Sequence, residues 1–201
     1  MSMTTILAAV VATLMLTSSS AHAAAIERRS VPAMPASEIH SFSLQSWGPQ
    51  EKTSNGDAVF VDSGLVSAEY IKGLDAQGKK TVCYIDVGTL EAWRSDRSEV
   101  VTESDDDMAK KYKGFGGTET WLDITKWEDL KEPMMARITE AATKGCTAVE
   151  MDNTDCYENA CVAGVSYDDL LAKEKEYVNW LIESVHSKGM AAGLKNSLEL
   201  I

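Results

Sequence analysis

Gly145 to Asn159 reads GCTAVEMDNTDCYEN, and the fold turns on how this stretch is parsed. Gly145 is a helix stop, and Ala148-Val149 starts a short apolar strand. Glu150, Asp152, Asn153 and Asp155 then arrive within six positions. A half-buried strand has no need of so much acid, since burying a carboxylate without partners costs roughly several kcal/mol. The end of this strand therefore calls for negative charge or a proton carrier.

Outward from it, short strand patterns alternate with helix patterns. Strands are expected at Ser41–Gln45, Ala58–Asp62, Thr81–Asp86, Thr120–Asp123, Ala148–Asp152 and Met190–Lys195. Ser67 can cap a helix carrying Tyr70, Ile71 and Leu74 that stops at Gly78. Glu132-Pro133 marks a first helical turn, with Met134, Ile138 and Ala141 at helical spacing behind it. Ser166 and Asp169 resemble a capping box ahead of the stripe Leu170, Tyr177, Val178, Leu181, Ile182 and Val185. Lys-Gly junctions at Gly145 and Gly189, and Gln77-Gly78-Lys79, each end a helix and lead into a strand. Helix, glycine and apolar strand in succession is the unit of a parallel α/β sheet.

Four of the expected strands finish on aspartate (Asp62, Asp86, Asp123 and Asp152), and the last finishes on Lys195-Asn196. In a parallel α/β barrel these ends share one rim, which holds the active site. Aspartate also caps helices after a strand, so Asp62, Asp86 and Asp123 are open to either reading. Asp152, with Asn153 and Asp155 behind it, is read as functional. Carboxylates among Trp47, Tyr84, Trp93, Trp121 and Tyr157 point to sugar chemistry, which uses paired acids and flat apolar platforms.

The chain has 201 residues, 19 Lys+Arg against 31 Asp+Glu and a net charge of −12. That balance argues against nucleic acid and anionic membranes as partners and suits a cationic ligand. The apolar run from Ile6 to Leu16 is short for a bilayer, and Ala21-His22-Ala23 offers a small-x-small cleavage site. A secretory signal peptide over 1–23 and a flexible leader over 24–38 are expected, followed by a soluble monomer. Glu103–Asp107 reads as a solvated charge run and Lys113–Gly117 as a mobile glycine loop. Cys156 and Cys161 close a short loop compatible with a disulfide in an oxidising compartment. Cys83 and Cys146, amid apolar neighbours, are expected as buried free thiols. The three His lie away from any cysteine at ligand spacing, so no metal or cofactor is expected.

A resemblance gathers these residues. Phe42-Ser43-Leu44-Gln45, Val82-Cys83-Tyr84-Ile85 with Gly88, Glu91-x-Trp93-Arg94-x-Asp96 and Trp121-Leu122-Asp123-Ile124 occur in order. They are followed by Val149-Glu150-x-Asp152-Asn153-x-Asp155 and Gly193-Leu194-Lys195-Asn196. Together they resemble the family 114 glycoside hydrolases, the endo-α-1,4-polygalactosaminidases. The resemblance implies a secreted TIM (β/α)8-type barrel that cleaves α-1,4-linked galactosamine-containing polysaccharide, cationic or neutral with its acetylation. It implies Asp152 as one catalytic carboxylate. Asp62, Tyr84, Asp123, Asn153, Asp155, Lys195 and Asn196 are then expected to hold substrate. The second catalytic carboxylate of the family lies on a later strand, and Glu199 stands too close to Asn196 to take that role. About six of the eight βα units are accounted for before Ile201, so 39–201 is expected to form an incomplete barrel. A non-catalytic carbohydrate-binding protein is the alternative.

Overall fold

A computed structural model describes residues 31–45, 51–96, 111–112 and 119–200. The expected signal peptide, the start of the leader, Trp47, the Glu103–Asp107 run and the Lys113–Gly117 loop lie outside these residues. In chain order the elements begin with Phe42–Gln45 (β1), Ala58–Asp62 (β2), Ala68–Asp75 (α1) and Lys80–Asp86 (β3). Thr89–Glu91 (β4), Lys111–Tyr112 (β5) and Glu119–Trp121 (β6) follow, then a 3-10 segment Ile124–Leu130 and Lys131–Lys144 (α2). Ala148–Asp152 (β7), Cys156–Asn159 (α3), Tyr167–Ser187 (α4) and Ala191–Leu194 (β8) complete the series.

β1, β2, β3, β7 and β8 form one parallel sheet in that order. The expected strand at Thr120–Asp123 is not part of it. β6 instead pairs antiparallel with β4 and β5 in a separate three-stranded sheet, and Asp123 lies past its end. The parallel sheet thus has five strands among the described residues.

Period-two alternation sorts the side chains. Val59, Val61, Cys83, Ile85, Val149 and Met151 face the helices and pack with Ile71, Leu74, Met134, Ile138, Leu181 and Val185. Each such side chain, fully buried, contributes about 1.5–3 kcal/mol. The opposite parity carries Val82, Ala148 and Ala191, with Phe60 and Met34 packed against them. Met34 belongs to the expected leader, so that segment is docked on the sheet from Met34 onward, where Lys80 also reaches Glu38 at 3.9 Å. Further along the same face come Asp62, Tyr84, Asp86, Glu150 and Asp152. The register aligns Asp86 with Asp152 and Asp62 with Tyr84.

The helices start and stop where local chemistry dictates. The Ser67 side chain accepts from Tyr70 N, and Gly145 closes α2 at a φ of 98° that favours glycine. Ser166 accepts from Asp169 N, but the Asp169 carboxylate takes the Ser166 hydroxyl at 2.6 Å. Aspartate is one methylene too short for the return bond of a full capping box. Cys83 and Cys146 form a disulfide rather than free thiols, and Cys156 is joined to Cys161. No helix of the described residues is long and apolar enough to cross a membrane.

Candidate active site

Asp152 ends β7 almost wholly buried, 6% exposed, with three donors on its carboxylate. Lys195 Nζ lies 2.8 Å from Oδ2, Asn196 Nδ2 lies 3.4 Å from Oδ1, and the Tyr84 hydroxyl donates as well. Burial pulls the Lys195 ammonium down, but the Asp152 bond and the charges of Asp152, Glu150 and Asp155 outweigh it and hold Lys195 above its ordinary value. Burial, reinforced by Asp86 and Asp152, drives the Tyr84 phenol far upward, so it stays a neutral donor. Lys195 and Asn196 arrive together because β8 pairs in register with β7, and Asn196 turns in the left-handed region at φ 77°.

Beneath Asp152 lies a packed polar floor. Asn153 holds φ 60°, a left-handed conformation that asparagine tolerates better than most residues. Its Nδ2 donates to Asp86 Oδ2 at 3.0 Å and to Thr89 Oγ1 at 3.2 Å. Asp86 also accepts from Gly88 N at 3.1 Å, Thr89 N at 2.8 Å and, in a short contact, the Thr89 hydroxyl. A Cβ on Gly88 would stand 1.6 Å from Asn153 O. Only glycine lets these two backbones meet. Gly88→Ala is therefore expected to cost roughly 3 kcal/mol or more, read as a lower urea midpoint. An unchanged midpoint would show that the floor yields.

The Glu91-x-Trp93-Arg94-x-Asp96 segment is a truss. Arg94 forks onto Asp62 at 2.9 and 3.4 Å, contacts Glu91 closely, and lies over the half-exposed Trp93 ring at 4.5 Å. Asp96 grips Arg137 at 2.5 and 3.0 Å, and Arg137 Nη1 donates to the Asp86 carbonyl at 2.7 Å. Burial pushes Glu91 up to about 7 against the opposing pull of Arg94.

Of the expected site residues, the structure brings Asp152, Tyr84, Lys195 and Asn196 into direct contact, with Asn153 beneath them. Asp62 faces the same mouth but is tied to Arg94. Asp123 caps its own 3-10 segment, accepting from Thr125 N at 3.1 Å and Thr125 Oγ1 at 2.6 Å and pairing with Lys126 at 3.2 Å. Trp121 and Tyr157 are core, 3% and 1% exposed, so neither is a platform for a sugar ring. Glu91, Arg94, Thr89 and Glu119 were given no role by sequence reasoning, although the first two lay inside a quoted motif.

Asp155 precedes α3, and burial together with the Asp152 charge raises its carboxyl. Its Oδ1 and both carboxyl oxygens of Glu174, on α4, are buried without a hydrogen-bond partner among the described residues. Burial, then the Asp155 charge, pushes Glu174 up to about 8 from 4.5. A carboxyl raised by folding stabilises fully below its unfolded value and loses that contribution as pH rises through the folded one. Stability should therefore fall between about pH 5 and about pH 8, and Glu174→Gln should flatten the curve. Thermal melts across that window decide it, parallel curves being the contrary result.

The model of Glycoside-hydrolase family GH114 matches residues 20–201. The chain belongs to this family. Aspergillus fumigatus Ega3, solved in complex with galactosamine, superposes with a TM-score of 0.68 at 27% identity, over 80% of this chain and 60% of that one. The glycoside hydrolase domain of PelA from Pseudomonas aeruginosa superposes at 0.63 and 13% identity, over 81% of this chain and 62% of that one, and supports the fold alone. The GH114 chain described here thus spans about three fifths of the length of these solved relatives. No curated protein matches it.

Proposed function

We propose that this chain is a secreted glycoside hydrolase that cleaves α-1,4-linked galactosamine or N-acetylgalactosamine polysaccharide internally. The observation that carries the reading is Asp152, a strand-end carboxylate aimed by Tyr84, Lys195 and Asn196 into the mouth of a parallel sheet. Such a carboxylate serves as nucleophile or base at a glycosidic carbon. Family membership and the galactosamine held by Ega3 support the substrate class. The net charge of −12 suits a polymer bearing ammonium groups. Two disulfides among the described residues suit an oxidising compartment.

In this reading Tyr84, Lys195, Asn196 and Asp155 contact substrate, and Asn153 acts by positioning Asp152. Release of oligosaccharides from galactosaminogalactan is the expected result, and no release would count against the hydrolase.

A second reading, a carbohydrate-binding protein without turnover, draws on Asp62 and Asp86 being engaged by Arg94 and by the Thr89–Asn153 floor. It predicts retention on the polymer that weakens with salt.

A further inference from the structure

Thr89, on β4, stands between two carboxyl groups. Its Oγ1 is in short contact with Asp86 Oδ2, lies 3.4 Å from Glu119 Oε2, and receives Asn153 Nδ2 at 3.2 Å. A threonine hydroxyl has one proton and two lone pairs. Asn153 occupies one lone pair. With both carboxyls ionised, Asp86 and Glu119 would compete for the single hydroxyl proton, leaving one pair of oxygens facing each other without hydrogen. All three contacts are satisfied when one carboxyl is protonated and donates into the second lone pair, while the hydroxyl donates to the other carboxyl.

We propose that Asp86 and Glu119 hold one proton between them through the Thr89 hydroxyl, and that Glu119 is its main carrier, a neutral donor facing the mouth occupied by Asp152. The two arrangements interconvert by a paired shift, one proton moving from Glu119 to Thr89 Oγ1 as another moves from Thr89 Oγ1 to Asp86. Each O–H bond broken is matched by one formed, and no charge is gained. Burial raises the Asp86 carboxyl, against the pull of its Thr89 and Asn153 hydrogen bonds, but its donors make it the better-held anion of the pair. It accepts from Gly88 N and Thr89 N on one oxygen and from Asn153 Nδ2 and the Thr89 hydroxyl on the other. Glu119 has no comparable set of donors among the described residues.

Burial, then the Asp86 charge, raises the Glu119 carboxyl, and Asp152 adds to this. A hydrogen bond from Thr89 to the ionised form and the Lys195 charge oppose it, but the net direction is upward. Glu91 faces Glu119 directly across the antiparallel ladder. Like charges in that position repel, and a neutral Glu119 removes the repulsion. The proton count stands apart from the hydrolase reading; only the use of Glu119 as a donor to a substrate oxygen rests on it.

Carboxyl carbon resonances of labelled, substrate-free protein test the proposal, with the Glu119 signal assigned by its loss in Glu119→Gln. Glu119 is expected to titrate above the ordinary glutamate value. A midpoint at or below that value overturns the proposal. Thr89→Val discriminates the direction of the bond. If Glu119 donates to Thr89, losing the hydroxyl lowers the midpoint, whereas a rise means that Thr89 donates to an ionised Glu119 and the proposal fails. Asp86→Asn should also lower it, and no change there would break the coupling. Because no substrate is present, these results are independent of whether oligosaccharides are released.

Discussion

Asp152→Asn should abolish most polysaccharide cleavage while leaving the fold standing. Positioned acid, base or nucleophilic carboxyls contribute about a hundredfold to ten-thousandfold in rate, and a loss of that size is expected in oligosaccharide release. The stability change should be small. The Lys195 partner is 45% exposed on its side chain, so the ion pair is screened and contributes about 1 kcal/mol or less. Asparagine keeps the shape of aspartate, and its amide oxygen can still accept from Tyr84 or Lys195. The expected signature is a large loss of activity at nearly constant melting temperature. Activity within tenfold of the parent would remove Asp152 from the chemistry. A melting temperature that collapsed alongside activity would reassign it to structural support.

The acidic strand ends were legible because two physical rules act on few residues. Alternation along a strand places Asp62, Asp86 and Asp152 on one face, and parallel pairing puts them at one end; both follow from local pattern. Tyr84 and Lys195 came with them by the same parity. The strand at Thr120–Asp123 misled because an apolar run finishing on aspartate reads alike in a parallel sheet and in an antiparallel ladder. What decides is the partner, and Glu91 opposite Glu119 is a long-range pairing with no local mark. The truss through Arg94 and Arg137 was hidden for the same reason. Arg94 meets Asp62 across 32 positions and Arg137 meets Asp86 across 51. Proton sharing at Thr89 needs three side chains from β3, β4 and β6 in one place. Spacing in the chain carries no trace of that.

Cys83 and Cys146 show most clearly how tertiary register overrides local environment. Each sits among apolar side chains, which reads as a buried thiol, yet β3 and β7 are adjacent strands, and Cys146, just ahead of β7, comes within 5.9 Å of Cys83 on β3, Cα to Cα. The bridge spans 63 positions, against 5 for Cys156–Cys161. Constraint on the unfolded chain grows with the logarithm of loop length, giving about 4 kcal/mol for the long loop and about 2 kcal/mol for the short one. Replacing both Cys83 and Cys146 by alanine should therefore lower the melting temperature by roughly 10 °C in a domain of this size. The matching Cys156→Ala and Cys161→Ala pair should cost about half as much. All four cysteines are buried in the main core, so lost packing adds to both figures and the difference between the two double variants rests on loop length. Equal drops for the two double variants, or a larger drop for the short loop, would mean that the long bridge merely accompanies a register already enforced by Val82 opposite Ala148 and Ile85 opposite Met151. A larger drop for the long bridge would make the covalent link between β3 and the segment entering β7 a principal support of the strand pair that carries Asp86 and Asp152.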